Sequence, residues 1–364
     1  MEFVETIVRL DNVSKCFKKG KYVIKNLSLD VHEGEFITLL GSSGCGKTTI
    51  LRMISGLEEV TAGKVYIDGK DVTEVPAAKR EVNTIFQNFA LFPHMTVSEN
   101  VGFGLRMKKE KEDVIEKEVK KALKLVELQG FEDRYPEQLS GGQQQRVAIA
   151  RGIVMHPKVL LLDESLCSLD LKLKRMMQIE LKKLQKKLGL TFIYVTHDQN
   201  EALTMSDRIV IIEKGSIEQD GTPQDIYMNP KSVFTADFIG ESNIIKGEIS
   251  SVKQNTIHVK IKDGVVFILD KKEEDKIDDK ISIMIRPENI KVSKNKLSKS
   301  ISGKITDLVY DGNIMKLFVC VYNDLILKVT VKGDEDYKVD DNVYLKIGNE
   351  DIIPIRERKN EKSR

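Results

Sequence analysis

Short apolar runs alternate with amphipathic stretches over the first two thirds of the chain. Between the runs, residues 113–128 and 171–189 repeat apolar side chains at helical spacing, with charged residues opposite. The runs themselves are rich in β-branched residues, as is typical of strands buried on both faces of a sheet. They are EFITLLG (35–41), KVLLLDE (158–164), TFIYVTH (191–197) and DRIVIIEKG (207–215). This alternation predicts an α/β domain with a largely parallel sheet over residues 1–240.

The pattern changes after about residue 243. Short segments of alternating polar and apolar residues follow, such as NTIHVKIKDG (255–264) and ISIMIRPENIKVS (281–293), and no long helical stripe is left. Gly, Asp and Asn separate these segments, as they do in small all-β domains. We therefore expect a second, OB-like domain over 241–356 and a solvated tail over 357–364.

Composition narrows the class of protein. The chain has 364 residues and a net charge of +2, from 58 basic and 56 acidic side chains, which argues against a bulk electrostatic binder of nucleic acid. The N-terminus has neither a basic start nor an apolar segment, so we expect no secretory signal. The four cysteines lie far apart and form no C-x-x-C pair, as expected for reduced thiols in a cytosolic protein.

GSSGCGKT (41–48) fits the phosphate-loop pattern G-x-x-x-x-G-K-[ST], and it lies between a predicted strand and a predicted helix. Glycines let backbone N–H groups converge on phosphate oxygens, and the helix N-terminus adds its positive dipole end. Lys47 would bridge the β- and γ-phosphates, and the Thr48 hydroxyl would hold Mg²⁺. The candidate nucleotide-binding residues here are Gly41, Ser42, Ser43, Gly44, Cys45, Gly46, Lys47, Thr48 and Thr49.

Three further polar residues end predicted strands. Asp163 and Glu164 follow the run VLLL, where Asp163 can hold Mg²⁺ and Glu164 can act as general base on the attacking water. His197 ends TFIYVTH, and a parallel neighbouring strand would bring it to the same crevice. There its imidazole could hydrogen-bond the γ-phosphate and fix Glu164 and the water.

A second glycine-containing loop, LSGGQQQR (139–146), also precedes a predicted helix. Its Ser140, Gly141, Gly142 and Gln143 would form an anion-binding helix terminus that has no lysine of its own. Such a loop can complete a phosphate site but cannot make one alone.

These motifs, in this order and spacing, resemble those of the ABC transporter ATPases. GSSGCGKT, LSGGQQQR, LLLDE (160–164) and THDQNEAL (196–203) carry the resemblance, together with a helical signature subdomain over about 88–155. The resemblance implies ATP and Mg²⁺ as cofactors. It also implies roles for Phe17 in stacking on adenine, for Gln87 at the metal and the attacking water, and for Asp170 at the nucleotide.

The resemblance extends into the C-terminal domain through IRPENI (285–290), which is similar to the accessory β (TOBE) domain of importer ATPases of the sugar, polyamine, iron and sulfate type. The finer match is to the polyamine type. It implies a homodimer in which Ser140, Gly141 and Gly142 of one subunit close over the γ-phosphate on the other subunit's Lys47. It further implies two membrane permease subunits, an extracytoplasmic solute-binding protein that acts indirectly, a place at the cytoplasmic face of the bacterial membrane, and no nucleic acid.

Several residues depart from the family's pattern, and some alternatives stay open. Ser165 stands where proline usually follows the catalytic glutamate, and Cys167 and Ser168 replace the usual serine and alanine. Every catalytic residue type is kept, so we expect an active ATPase. The solute could instead be a sugar, iron or sulfate. A non-transport ATPase that acts on nucleic acid would be expected to carry two cassettes or a coiled-coil insertion, and neither is present in this sequence.

Overall fold

The structure is a computed structural model that describes residues 5–18, 20–164, 171–261, 266–271, 276–277, 279–322 and 324–356. Its residues group into two compact units, which divide between Gln224 and Asp225. Ser165, Cys167, Ser168 and Asp170 lie outside the described residues. None of the described helices is long and apolar enough to cross a membrane.

The first unit alternates strands and helices, as the hydrophobic pattern predicts. Its described strands are β1 (Thr6–Lys18), β2 (Lys21–His32), β3 (Phe36–Leu40), β4 (Ala62–Ile67), β5 (Lys70–Asp71), β6 (Val82–Ile85), β7 (Val159–Asp163), β8 (Thr191–Thr196), β9 (Arg208–Glu213) and β10 (Ser216–Gly221). Its described helices are α1 (Lys47–Ser55), α2 (Val97–Met107), α3 (Glu112–Leu125), α4 (Gly141–Ile153), α5 (Leu171–Leu188) and α6 (Gln199–Met205).

A six-stranded sheet in the order β10-β9-β3-β8-β7-β6 forms the centre of this unit. All neighbouring strands from β9 to β6 pair in parallel, and only β10 runs antiparallel, at one edge. Strands β3, β8, β7 and β6 are therefore neighbours whose carboxyl ends share one edge of the sheet. The chain leaves these four strands at this edge in loops that lie far apart in the sequence.

The buried strands are apolar throughout because each face of the sheet has its own core. Ile37, Leu161 and Ile193 face a core shared with α1 and with the antiparallel sheet β2-β1-β4-β5. The alternate residues Phe36 and Phe192 face the core formed with the helices α2 to α5. A strand between two cores buries every side chain along its length, so polar groups that must reach a ligand lie at its ends.

The second unit is built almost entirely from β-strands. After the short helices α7 (Pro223–Met228), which spans the division, and α8 (Val233–Phe238), two five-stranded antiparallel sheets enclose one core, which confirms the predicted all-β domain. The described strands are β11 (Asn243–Val252), β12 (Thr256–Ile261), β13 (Val266–Asp270), β14 (Lys280–Ile285), β15 (Lys291–Ser293), β16 (Ile301–Asp311), β17 (Ile314–Val321), β18 (Leu325–Lys332), β19 (Asn342–Lys346) and β20 (Ile352–Arg356). The change of sequence pattern near residue 243 marks the first strand of this unit, whereas its first helices come earlier.

Arg286 of the IRPENI motif connects the helices of the second unit to its strands. Its side chain is 1% exposed and follows β14, and its guanidinium donates hydrogen bonds to Tyr227 O (2.6 Å), Ile239 O (2.7 Å) and Ser242 Oγ (2.7 Å). The Tyr227 ring lies 4.0 Å from the guanidinium carbon, and its hydroxyl donates to Glu288 at 2.5 Å. Arg286 is thus a buried cation that has no carboxylate partner among the described contacts. It donates instead to backbone carbonyl groups at the ends of α7 and α8.

The Tyr227 contact predicts a loss of stability at alkaline pH. Burial and the bond to Glu288 raise the pKa of Tyr227 from 10.0 to about 12. Because the folded pKa lies above the unfolded one, this stabilisation is complete below pH 10 and is lost as pH rises toward 12. We expect the free energy of unfolding of the wild type to fall relative to that of Tyr227→Phe over this window, by up to about 2 kcal/mol.

Urea unfolding of both proteins at a series of pH values measures that difference. Tyr310→Phe is the control, because Tyr310 is 63% exposed on β16. An equal pH dependence for Tyr227→Phe and the wild type would contradict the assignment.

Candidate nucleotide-binding site

The shared carboxyl edge of β3, β8, β7 and β6 gathers the candidate residues. The phosphate loop follows β3, His197 follows β8, Asp163 and Glu164 end β7, and Gln87 follows β6 closely. Because these four strands are neighbours in that order, segments that lie far apart in the sequence, such as the phosphate loop and His197, meet at one crevice. This is where ligands bind in open parallel α/β sheets.

The glycines of the phosphate loop are required by its backbone. Gly44 and Gly46 have φ angles of 79° and 110°, and Gly46 is the residue from which α1 begins. A Cβ at Gly41 would lie 2.3 Å from Ile212 O, so only glycine fits there. Ser42, Ser43 and the following glycine are exposed, and the first turn of α1 carries no acidic residue to neutralise its positive end. The loop therefore offers free backbone donors to an anion.

Lys47 lies inside this loop. Its ammonium is buried and donates to Gly41 O at 2.8 Å and Ser42 O at 2.9 Å, with Cys45 Sγ at 3.8 Å. These partners are neutral carbonyl oxygens and a thiol, so the full charge of the lysine is available to a bound phosphate. Cys45, which is 6% exposed, packs beneath the loop as a small apolar residue.

Thr48 and Asp163 form a pair suited to a hard cation. Thr48 Oγ1 donates to Asp163 Oδ1 at 3.2 Å, close to the roughly 2.9 Å that separates adjacent oxygen ligands of octahedral Mg²⁺. Burial raises the pKa of Asp163, and the Thr48 bond only partly offsets this. A divalent cation bound beside Asp163 would stabilise the charged form of this carboxylate against burial. Among the described residues no group of three or more His, Cys, Asp or Glu could hold a metal, so ligands of other kinds would complete the coordination of the ion.

Glu164 stands between Gln87 and His197. Its Oε2 accepts a bond from Gln87 Nε2 at 3.4 Å, and its Oε1 lies 3.1 Å from His197 Nδ1, which must carry the proton for this contact. Its φ is 45°, in the left-handed region that costs a non-glycine residue about 1 kcal/mol or more, and its N–H donates to Val195 O at 3.0 Å. Among the contacts of the described residues, none joins Gln87 to Thr48 or Asp163.

The second glycine-containing loop (139–146), called the signature loop below, lies apart from the phosphate loop of its own chain. Ser140 precedes α4 and caps it together with Gln143: each side chain accepts from the other residue's backbone N–H, at 3.4 and 3.0 Å. The cap uses the Ser140 oxygen as acceptor, which leaves its O–H free to donate to a phosphate. Ser140 and Gln143 line a shallow cavity with Phe131, Met176 and Glu180, and no hydrogen bond or ion pair of the described residues joins them to residues 41–48.

Phe17 presents a ring for stacking. It is 57% exposed at the end of β1, and the Lys15 ammonium lies 5.0 Å from the ring centre. An exposed ring held on a strand suits contact with a flat heterocycle.

Two arginines of α4 were not found from the sequence. Arg146 pairs with Glu180 of α5 at 2.5 Å and with Glu127 at 3.2 Å. Arg151 donates to Phe89 O at 2.7 Å and Ala90 O at 2.8 Å, two consecutive left-handed residues just after Gln87. The signature helix is thus fixed to α5 at one end and to the Gln87 segment at the other. The available signal was charge within the otherwise apolar stretch RVAIARGIV (146–154).

Comparisons with known families match both units. The family described as ABC transporter matches residues 24–166, and the TOBE domain matches residues 283–354. The spermidine/putrescine import ATP-binding protein PotA of Vibrio cholerae is 51% identical to this chain, with 91% of this chain and 88% of that protein covered. The protein of the same name from Aliivibrio fischeri is 52% identical, with 85% and 83% covered.

Solved structures match over the first unit. CbiO1 from Clostridium perfringens, part of the ABC transporter complex CbiONQ, has a TM-score of 0.57 at 29% identity and covers 61% of this chain and 90% of its own. A dimeric structure of the ATP-binding cassette MJ0796, bound to ADP and Pi after hydrolysis, has a TM-score of 0.53 at 37% identity and covers 60% and 99%.

Fold and site therefore define an ATP-binding cassette that hydrolyses ATP, as the sequence predicted. The chain belongs to the family of ABC transporter ATP-binding subunits that includes the spermidine/putrescine import ATP-binding proteins.

The position of Glu164 predicts the effect of removing its charge. Glu164→Gln keeps the size of the side chain but cannot accept a proton from water, so we expect steady-state phosphate release to fall by about 10²- to 10⁴-fold. ATP binding should persist, because the phosphate loop is unchanged.

Phosphate release and fluorescent-nucleotide titration measure the two effects separately. Glu213→Gln is the matched control, since Glu213 ends β9 of the same sheet and its side chain is 25% exposed, close to the 24% of Glu164. Hydrolysis near the wild-type rate in Glu164→Gln would exclude Glu164 as the base.

Proposed function

We propose that this chain is the ATP-hydrolysing subunit of an ABC importer for polyamines, and that it works as a homodimer on two membrane permease subunits at the cytoplasmic face of the membrane. The observation that carries the solute class is about 50% identity, across both units, to curated proteins named for spermidine and putrescine import. An extracytoplasmic solute-binding protein would act on it only through the permease subunits. Nucleic acid has no part in this function.

Each described residue has a distinct task in the proposed reaction. Lys47 and the loop amides bind the β- and γ-phosphates of ATP, and the Phe17 ring stacks on adenine. Thr48 and Asp163 would hold Mg²⁺, with Gln87 nearby, and that ion supplies positive charge to the phosphate oxygens. Glu164 takes the proton of the attacking water, while His197 and Gln87 orient its carboxylate. Asp170 is proposed to contact nucleotide from the resemblance alone.

The signature loop is proposed to act on the nucleotide of the partner subunit. Three observations support this: the Ser140 hydroxyl keeps a free donor, α4 has no acidic residue in its first turn, and no hydrogen bond or ion pair of the described residues joins the loop to the phosphate loop of the same chain. In a head-to-tail dimer with two-fold symmetry, one interface would form two such composite sites.

Mixing two inactive variants tests this arrangement. Lys47→Ala cannot hold phosphate, and Ser140→Arg places a bulky cation in the signature loop, so each homodimer should be inactive. In a mixed dimer one composite site collects both lesions, and the other is intact. About half of randomly mixed dimers are of this kind, so about a quarter of the wild-type ATPase rate is expected if the sites act independently.

The matched control mixes Lys47→Ala with the double variant Lys47→Ala, Ser140→Arg, which leaves no intact site in any dimer. ATP-dependent cross-linking across the interface should accompany the rate measurement, because cooperativity can suppress turnover at a single site. Absence of both signals in verified mixed dimers would contradict action on the partner's nucleotide.

Uptake in cells tests the solute. Deletion of this subunit should lower uptake of labelled spermidine or putrescine, and the wild-type gene, but not its Glu164→Gln form, should restore it. Labelled maltose, ferric iron and sulfate are measured in parallel. Normal polyamine uptake together with loss of one of these would assign the subunit to that other solute.

A further inference from the structure

A buried charged cluster lies directly behind His197. Its centre is Glu201 of α6, which is 0% exposed. Glu201 Oε2 accepts from the hydroxyls of Tyr194 and Thr196, both at 2.5 Å, and Lys174 Nζ lies 2.6 Å from its Oε1. One carboxylate oxygen thus accepts two hydrogen bonds and the other lies in an ion pair with Lys174 without a hydrogen bond of good geometry, between the end of β8 and the beginning of α5.

The same lysine holds the residue after His197. Lys174 Nζ lies 2.7 Å from Asp198 Oδ2, while Asp198 Oδ1 caps α6 by accepting from the N–H groups of Asn200 and Glu201. The Asp198 N–H in turn donates to Thr196 Oγ1 at 3.0 Å. The residues on both sides of His197 are therefore fixed by one connected network, whereas the His197 side chain is 51% exposed and contacts Glu164.

Local preferences do not account for a lysine at this place. Lys174 lies in the first turn of α5, where the helix dipole disfavours a cation. Its side chain is only 15% exposed. Burial of such a pair is weak evidence for stability, because desolvation offsets much of the attraction. Fixing a geometry is the better-attested use of a buried ion pair.

We propose that Lys174 and Glu201 are positioning residues for ATP hydrolysis: their ion pair fixes the backbone of Thr196–Asp198 and so places the His197 ring against Glu164. This inference rests on the proposed catalytic roles of Glu164 and His197. Loss of the lysine leaves a buried carboxylate without its cation, and the strand end that carries His197 shifts to relieve it.

Substitution of Lys174 tests the inference. Lys174→Met keeps the length and removes the charge, and we expect kcat to fall by about 10- to 100-fold while the KM for ATP stays within about twofold, because only the geometry of the water-activating groups changes. Lys174→Arg should recover most of kcat. In the double variant Lys174→Met, Glu201→Gln the buried negative charge is gone as well, so kcat should exceed that of Lys174→Met alone.

Lys182→Met is the matched control. Lys182 lies on the same helix, is 19% exposed, and pairs with Asp207 at 2.6 Å, but that pair touches neither His197 nor its neighbours among the described contacts. It should lose stability like Lys174→Met yet keep kcat within about twofold. Equal kcat losses for both lysines, or a fall in both kcat and ATP affinity for Lys174→Met, would reduce Lys174 to a structural role and overturn the proposal.

Two further measurements keep the inference separate from the function on which it rests. If Lys174→Met is recovered only unfolded, the double variant is tested in its place, by thermal unfolding and by its kcat. A folded double variant with wild-type kcat contradicts the positioning role. A folded double variant with reduced kcat and unchanged KM supports it. Glu164→Gln is assayed in parallel. Loss of hydrolysis in Glu164→Gln with normal kcat in Lys174→Met refutes the inference alone, whereas normal hydrolysis in Glu164→Gln refutes the proposed site.

Discussion

Charge at the carboxyl edge of the parallel sheet is the constraint on which the site depends. The strands β3, β8 and β7 lie between two apolar cores, so the polar groups that reach the crevice lie at the strand ends, where they are only partly hydrated. Burial disfavours the charged form of Asp163 and raises the pKa of its carboxyl group. Across the crevice the phosphate loop presents amides and the Lys47 ammonium, whose partners are neutral. Among the described contacts no ion pair joins Lys47 to Asp163. A bound phosphate would neutralise the lysine, and its cation would neutralise the carboxylate.

The backbone at Glu164 follows from the same constraint. Continuing β7 as an extended strand would alternate the side chains of Asp163 and Glu164 to opposite faces of the sheet. The left-handed φ at Glu164, held by the N–H bond to Val195 O, turns its carboxylate toward Gln87 and His197 instead. The strain is local, and the backbone hydrogen bond from Glu164 N–H to Val195 O of β8 offsets it. Such strain at a strand end is common where a side chain must be aimed.

The sequence predicts the parts of this molecule that local chemistry determines. The phosphate loop, the buried strands and the capped α4 all follow from patterns within about fifteen residues. Groups that depend on chain segments far apart were not predictable. Arg151 acts on Phe89 O and Ala90 O, Arg286 on Tyr227 O and Ile239 O, and Lys174 on Glu201. The partner of each of these charged residues is set by the order of the strands or is a backbone carbonyl, and no sequence motif identifies either. The left-handed φ of Glu164 is likewise absent from any local signal, because glutamate rarely adopts it.

Helix α4 connects the loops that a single chain leaves incomplete. Its first residues offer Ser140 and two glycine amides, Arg146 binds it to Glu180 of α5, and Arg151 binds its far end to the segment after Gln87. The first turn of helix α5 in turn carries Lys174, whose contacts with Asp198 and Glu201 lie beside His197. In the proposed dimer, a partner's nucleotide bound at the signature loop would act on α4, which contacts the segment after Gln87 through Arg151 and α5 through Arg146. A shift of α4 would then be felt both by the Gln87 segment and by the helix that carries Lys174, and this is the coupling that we propose between dimer closure and hydrolysis.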